Sequence, residues 1–170
     1  MPHGAEPQAL EPLWPVFLSY VLSFVYIGIY WNNHHHMLQT VREVNGTILW
    51  ANLHLLFWLS LLPFTAGWMG EKHFARLPTA LYGINTARVC AGDFVLQGCL
   101  VRHQGPHGPL AKAIAPDAKG QASPLLYVLG IAATWFITPW AGLAFFVAVA
   151  LMWLTPDRRI ENAMSKRSDG

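Results

Sequence analysis

An all-α, polytopic membrane helix bundle is the fold this sequence predicts, and three observations predict it. Only 12% of the 170 residues are charged and 54% are hydrophobic, with a mean hydropathy of +0.32, where ordinary soluble domains carry about 25% charged residues. The apolar residues gather into four blocks, Leu13 to Trp31, Ile48 to Met69, Leu77 to Val101 and Pro124 to Leu154. About 20 mostly apolar residues suffice for one crossing of a bilayer. Tryptophans sit at the ends of the first two blocks, as an interfacial aromatic belt requires.

The first block is bracketed by Trp14 and Trp31, about 26 Å apart on a helix rising 1.5 Å per residue. Ahead of it, residues 1–12 read as a polar linker, lacking both the basic start and the apolar centre of a cleavable leader. Trp50 and Trp68 bracket the second block at about 27 Å, and Pro63 is expected to kink it by removing an amide and crowding the preceding turn. The third block is a single crossing that carries Arg88 and Asp93 inside it.

The fourth block holds 31 residues, long for one crossing and short for two, and charge decides between them. Bent into a hairpin at Thr138-Pro139, it places Arg42, Arg102, Lys112, Lys119, Arg158, Arg159, Lys166 and Arg167 on one side and only Lys72 and Arg76 on the other. A single crossing would lose that asymmetry, so the positive-inside rule favours the hairpin. Pro139 is a natural breaking point because the residue before a proline is pushed out of helical geometry. The expected organisation is therefore a linker over 1–12, a bundle of five membrane segments over 13–155 with a mobile cytoplasmic loop over 102–122, and a cytoplasmic tail over 156–170. Gly105-Pro106 and Gly108-Pro109 are the breakers in that loop.

A formal charge of +2, with no basic groove interleaved with aromatics, excludes nucleic acid as a partner. What remains is lipid, another copy of the chain, or small ions. Cys90 and Cys99 stand nine residues apart on one helix, about 13 Å of rise, too far for a disulfide, and read as packing residues. Asn45-Gly46-Thr47 matches a glycosylation acceptor, but it falls on the expected cytoplasmic side and is read as a chance match.

The chemistry concentrates at the end of the first block, in Trp31-Asn32-Asn33-His34-His35-His36. On a helix Trp31 and His35 lie one turn apart, as do Asn32 and His36. Consecutive helical residues diverge by about 100°, so three adjacent histidines converge poorly on one metal ion. Structural hydrogen bonding is the leading reading. Proton sensing stays open because imidazole is the side chain that titrates closest to physiological pH, and metal binding is the third alternative. Asn52, His54 and Ser60 on the second block read as polar packing between helices. Arg88 and Asp93 project about 140° apart, which argues against a direct pair and leaves both as ion-path candidates.

The run from Leu22 to His36, followed by Ser60-Leu61-Leu62-Pro63-Phe64, Leu77-Pro78-Thr79-Ala80-Leu81-Tyr82-Gly83 and Pro156-Asp157-Arg158-Arg159-Ile160-Glu161, resembles the transmembrane protein 175 family of endosomal and lysosomal potassium channels and their bacterial relatives. These motifs keep the family's order and cover most of the chain from Leu13 to Glu161. The resemblance implies a subunit of a potassium-selective channel in a bacterial inner membrane, assembled as a homo-oligomer, a tetramer in the bacterial type, with potassium ions and lipid as partners and neither a cofactor nor a catalytic group. It implies that Trp31, Asn32, His34 and His35 hold neighbouring helices in register around an apolar constriction.

One departure stands out: no position matches the family's first helix, with its Arg-x-x-x-Phe-Ser-Asp signature and pore-lining role. The expectation is a reading frame extending upstream by about 30 codons, room for roughly 20 apolar residues. The rival classes are a non-conducting or regulatory membrane subunit and, more weakly, a histidine-dependent membrane metalloenzyme, whose remaining histidines are scattered over both sides of the membrane.

Overall fold

The structure, a computed structural model, describes residues 13–41, 43–105, 108, 110–111 and 118–154. The linker over 1–12, Arg42, parts of the 102–122 loop and everything from residue 155 onward lie outside the described residues, and with them the last of the family motifs. Among the described residues, six helices are delimited in chain order: α1 (Trp14–Gln39), α2 (Gly46–Ser60), α3 (Leu62–Glu71), α4 (Arg76–Gln104), α5 (Ala118–Phe136) and α6 (Pro139–Leu154). Helices α2 and α3 form one rod interrupted at Leu61, so the helices make five antiparallel rods.

The boundaries follow from local chemistry. Pro15 falls in the first turn of α1, where its missing amide would have been unsatisfied anyway. Asn45 caps α2, its Oδ1 accepting from the Ile48 amide at 2.9 Å, which gives that asparagine a structural role beside its sequence match. Pro63 sits in the first turn of α3 and cannot donate to the Leu59 carbonyl. The expected kink is therefore a one-residue break. Helix α1 runs two turns past Trp31, carrying the three histidines as continuous helix.

The 31-residue fourth block is a hairpin. Helix α5 ends with the Ile137 and Thr138 amides donating to the Ala133 carbonyl, each at 3.0 Å. Thr138 then caps α6, its Oγ1 accepting from the Ala141 amide at 3.1 Å, and Pro139 takes the first helical position. Between α3 and α4 the chain closes in a Schellman turn, with the His73 amide bonded to Gly70 and the Phe74 amide to Met69. His73 and Phe74 both take positive φ, 49° and 58°, a strained geometry for side chains of that size. Burial of Phe74 against Trp140, ring centroids 4.9 Å apart, holds it there.

The core is aromatic. Tyr26 of α1, Tyr82 of α4, Tyr127 of α5 and Phe146 of α6 are all essentially inaccessible and meet at centroid distances of 6.0–6.4 Å, the range in which edge and tilted ring contacts are favourable. Phe146 is central because its ring lies against Gly83 and Gly130, and a methyl group at either glycine would overlap it. Gly142 in turn lets α6 approach the Gly130 carbonyl and Thr134. The Tyr26 hydroxyl donates to the Phe146 carbonyl at 2.6 Å. Elsewhere Gly70 brings α3 onto the Val16 backbone and Ser19 of α1, and Gly92 brings α4 onto Leu55 of α2. Small residues at crossings are how helices pack where lipid supplies no hydrophobic drive between them.

The surface is apolar where a soluble protein's would be polar. Hydroxyl-bearing Ser19, Ser23, Thr79, Thr86 and Thr134 are buried, while Phe24, Phe64, Val128, Leu125 and Leu151 are exposed. Both α1 and the Gly46–Glu71 rod are long and apolar enough to cross a membrane. The chain is an all-α membrane helix bundle.

Glycine substitutions separate packing from helix propensity. Gly83→Ala drives a methyl into Phe146 and should lower stability by about 1–3 kcal/mol, the usual cost of overpacking. Gly67→Ala, with nothing within 4 Å of the added carbon, should leave it unchanged or raise it by up to about 1 kcal/mol. Thermal unfolding in detergent micelles reads both; equal shifts would mean the Phe146 seat is not close-packed.

Candidate functional site

At the Trp31 end of the bundle, α1 emerges from the apolar zone and the three histidines take different directions. His34 turns towards α2, its Nε2 paired with Asn52 Oδ1 at 2.5 Å. His35 stacks on Trp31, centroids 5.4 Å apart and planes at 9°, and its Nε2 pairs with Gln39 Nε2 at 2.9 Å. His36 meets His35 edge-on, at 5.9 Å, with its Nδ1 enclosed. Trp31, Asn32 and His35 are exposed, whereas His34 is half-buried. Of the four residues singled out in the sequence, only His34 ties α1 to a second helix among the described residues; Trp31 and His35 form a flat surface plate, and Asn32 lies beside it. Among the described residues no trio of histidine, cysteine or carboxylate side chains is grouped to hold a metal.

Further hydrogen bonds close this end. Gln104 Nε2 at the end of α4 donates to the Thr40 carbonyl at 2.9 Å and to its Oγ1 at 3.0 Å. The Asn45 amide reaches His103 Nδ1 at 3.4 Å, and Trp153 Nε1 donates to Ser123 Oγ at 2.9 Å. Each bond links two different helices or their flanking turns, so the Trp31 end is held by polar ties.

Arg88 and Asp93 part company, as their angular separation predicts. The Arg88 guanidinium lies over the Trp58 ring of α2, 5.6 Å from its centroid, and Trp58 Nε1 donates to His54 Nε2 at 3.1 Å. A charge at the bilayer centre costs about 2.5–3.5 kcal/mol on insertion scales, and a cation–π contact returns about 0.5–2. Asp93, about 140° further round the same helix, is half-buried with its Oδ1 enclosed. Cys90 and Cys99 are not joined in a disulfide, the first being buried and the second half-buried.

Sequence reasoning read Asn52 and His54 as polar packing between helices and did not single out Trp58. It did not identify Asn52 as the partner of His34 or Trp58 as the seat of Arg88, because neither pairing has a fixed spacing along the chain.

The sequence profile described as endosomal/lysosomal potassium channel TMEM175 matches residues 1–63, which contain α1, α2 and the histidine cluster. A potassium channel of Chryseobacterium sp. (strain P1-3) is 47% identical over 166 residues, 98% of this chain and 86% of that relative. The chain belongs to the TMEM175 family. A potassium channel of Streptomyces collinus is 35% identical over 85 residues, 48% of this chain and 41% of its own length. One of Chamaesiphon minutus is 25% identical over 157 residues, 83% of this chain and 73% of its own. No solved structure matches the chain. For this TMEM175 family member the described side chains offer hydrogen bonding between helices and a cation laid over an aromatic ring.

A double-mutant cycle on His34→Ala and Asn52→Ala should give a coupling of about 0.6 kcal/mol, and no more than about 1.7, as for interhelical hydrogen bonds in other membrane proteins. Pairing Asn52→Ala with Asn32→Ala should give none. A coupling of zero in the first cycle, measured by unfolding in mixed micelles, would remove the α1–α2 tie.

Proposed function

We propose that this chain is a subunit of a potassium-selective channel whose conducting path forms where copies of the chain meet. The observation that carries the channel reading is the 47% identical relative, named a potassium channel, which aligns with nearly all of this chain. The aromatic core supports the location of the path. Tyr26, Tyr82, Tyr127 and Phe146 fill the centre of the bundle, and ions cannot pass through close-packed rings. The path therefore lies on the outside of one bundle and is enclosed by assembly. A tetramer is the assembly that the resemblance implies.

In this reading the Trp31 end faces the cytoplasm of a bacterial cell, with eight of the eleven basic residues on that side and the inner membrane as its location. The 1–12 linker lies on the far side, and the 102–122 loop and the 156–170 tail lie in the cytoplasm. His34 with Asn52 keeps α1 and α2 in register. Trp31, Asn32 and His35 offer their polar edges to a neighbouring helix of the assembly. Asp93 is half-buried with its Oδ1 enclosed, which supports leaving it out of such a path. No step calls for a cofactor or for covalent chemistry.

Two measurements test this. The protein purified from its native membrane and placed in liposomes should pass potassium down an imposed gradient and discriminate against sodium; absence of any flux, or equal leak of both ions, would overturn the channel reading. Cysteine labelling in whole cells should find Lys72→Cys accessible from outside and Ser165→Cys accessible only from the cytoplasm. External labelling at both positions would overturn the proposed topology.

A further inference from the structure

Arg88 stands out because its location and its exposure conflict. Trp58, which its guanidinium covers, lies eight residues after Trp50 and ten before Trp68, about 12 and 15 Å from the two tryptophan levels. The charge is therefore near mid-depth. A snorkelling arginine would reach for one of the interfaces, and this one is folded onto the middle of α2 instead. Yet Arg88 is exposed at the surface of the bundle, and so is His54 beside Trp58. A guanidinium at that depth does not face hydrocarbon; such charges face protein or water.

The surface around it is shaped for protein. Leu81, Ile84, Arg88, Ala91, Val95 and Gly98 are all exposed on α4, and they alternate spacings of three and four residues. That is the seam of helices packing with a shallow left-handed crossing. Ala91 and Gly98, seven residues apart, leave room for another backbone, and among the described residues nothing lies within 4 Å of a carbon added at Gly98. Arginine flanked by apolar residues is the composition of an interface centre.

We infer that the α2/α4 face centred on Arg88 and Trp58 is a contact surface between copies of this chain. This rests on the channel reading, in which the filled bundle leaves the ion path outside it and copies of the chain enclose that path. The same reading keeps Arg88 off the path itself, since a fixed cation there would repel potassium. Arg88 is thus an assembly residue, its charge spread over Trp58 and its remaining N–H groups turned to acceptors on the second copy.

The test is photocrosslinking from a benzophenone side chain introduced at Ile84 or, separately, at Val95, both exposed on the seam, with Val128 on α5 as the control. The full chain is placed in vesicles of phosphatidylethanolamine and phosphatidylglycerol, its potassium flux is recorded, and the vesicles are irradiated. A shift to twice the chain mass from Ile84 and Val95, and none from Val128, is the expected result. Lipid adducts alone from both seam positions would overturn the interface, whether or not the vesicles conduct. Doubled mass without potassium flux would keep the contact surface and remove the channel reading, so the two failures are distinguishable.

Discussion

The ring of Phe146 sets the spacing of the bundle. Helices α4 and α5 come as close to α6 as they do only because Gly83 and Gly130 offer no side chain where that ring lies. Tyr26 then adds α1 to the same point by bonding the Phe146 carbonyl. Four of the five rods are thereby positioned around one side chain. The fifth, the Gly46–Glu71 rod, is laid along α1 and α4 through Gly70 and Gly92. In a bilayer this arrangement relies on dispersion and satisfied hydroxyls, because transferring a leucine from lipid to protein gains little.

A solid centre moves function to the surface. The polar groups that a membrane protein can least easily expose are divided here between two places. One is the Trp31 end, where His34, Asn52, Gln104 and Thr40 bind helices to each other within reach of water. The other is the mid-depth face of α2 and α4, where the exposed Arg88 lies over Trp58, which is itself held by His54. The first place is accounted for within one chain, and the second becomes intelligible on the proposed assembly, in which a surface polar residue of one copy is an interior residue of the whole.

Much of the architecture could be read from the chain because bilayer physics constrains it strongly. The number of segments, the bend at Thr138-Pro139 and the interruption at Pro63 follow from apolar length, basic-residue asymmetry and the chemistry of proline. The opposite directions of Arg88 and Asp93 followed from helix geometry alone. Pairings between helices were not legible. Nothing in the spacing of Gly83, Gly130 and Phe146 says that two glycines frame one phenylalanine, and nothing near His34 names Asn52. The positive φ at Phe74 was hidden for the same reason, since it depends on Trp140, 66 positions along the chain.

The claim that a single bundle is closed to ions, and that conduction belongs to the assembly, can be tested by separating the two states. Monomeric and oligomeric fractions of the native protein, resolved by size and verified by native mass spectrometry, would be placed in liposomes at a dilution that prevents reassembly. Potassium flux confined to the oligomeric fraction is the predicted result. Flux of equal size per chain from the monomeric fraction would contradict the account, because it would require a path through the residues packed around Phe146.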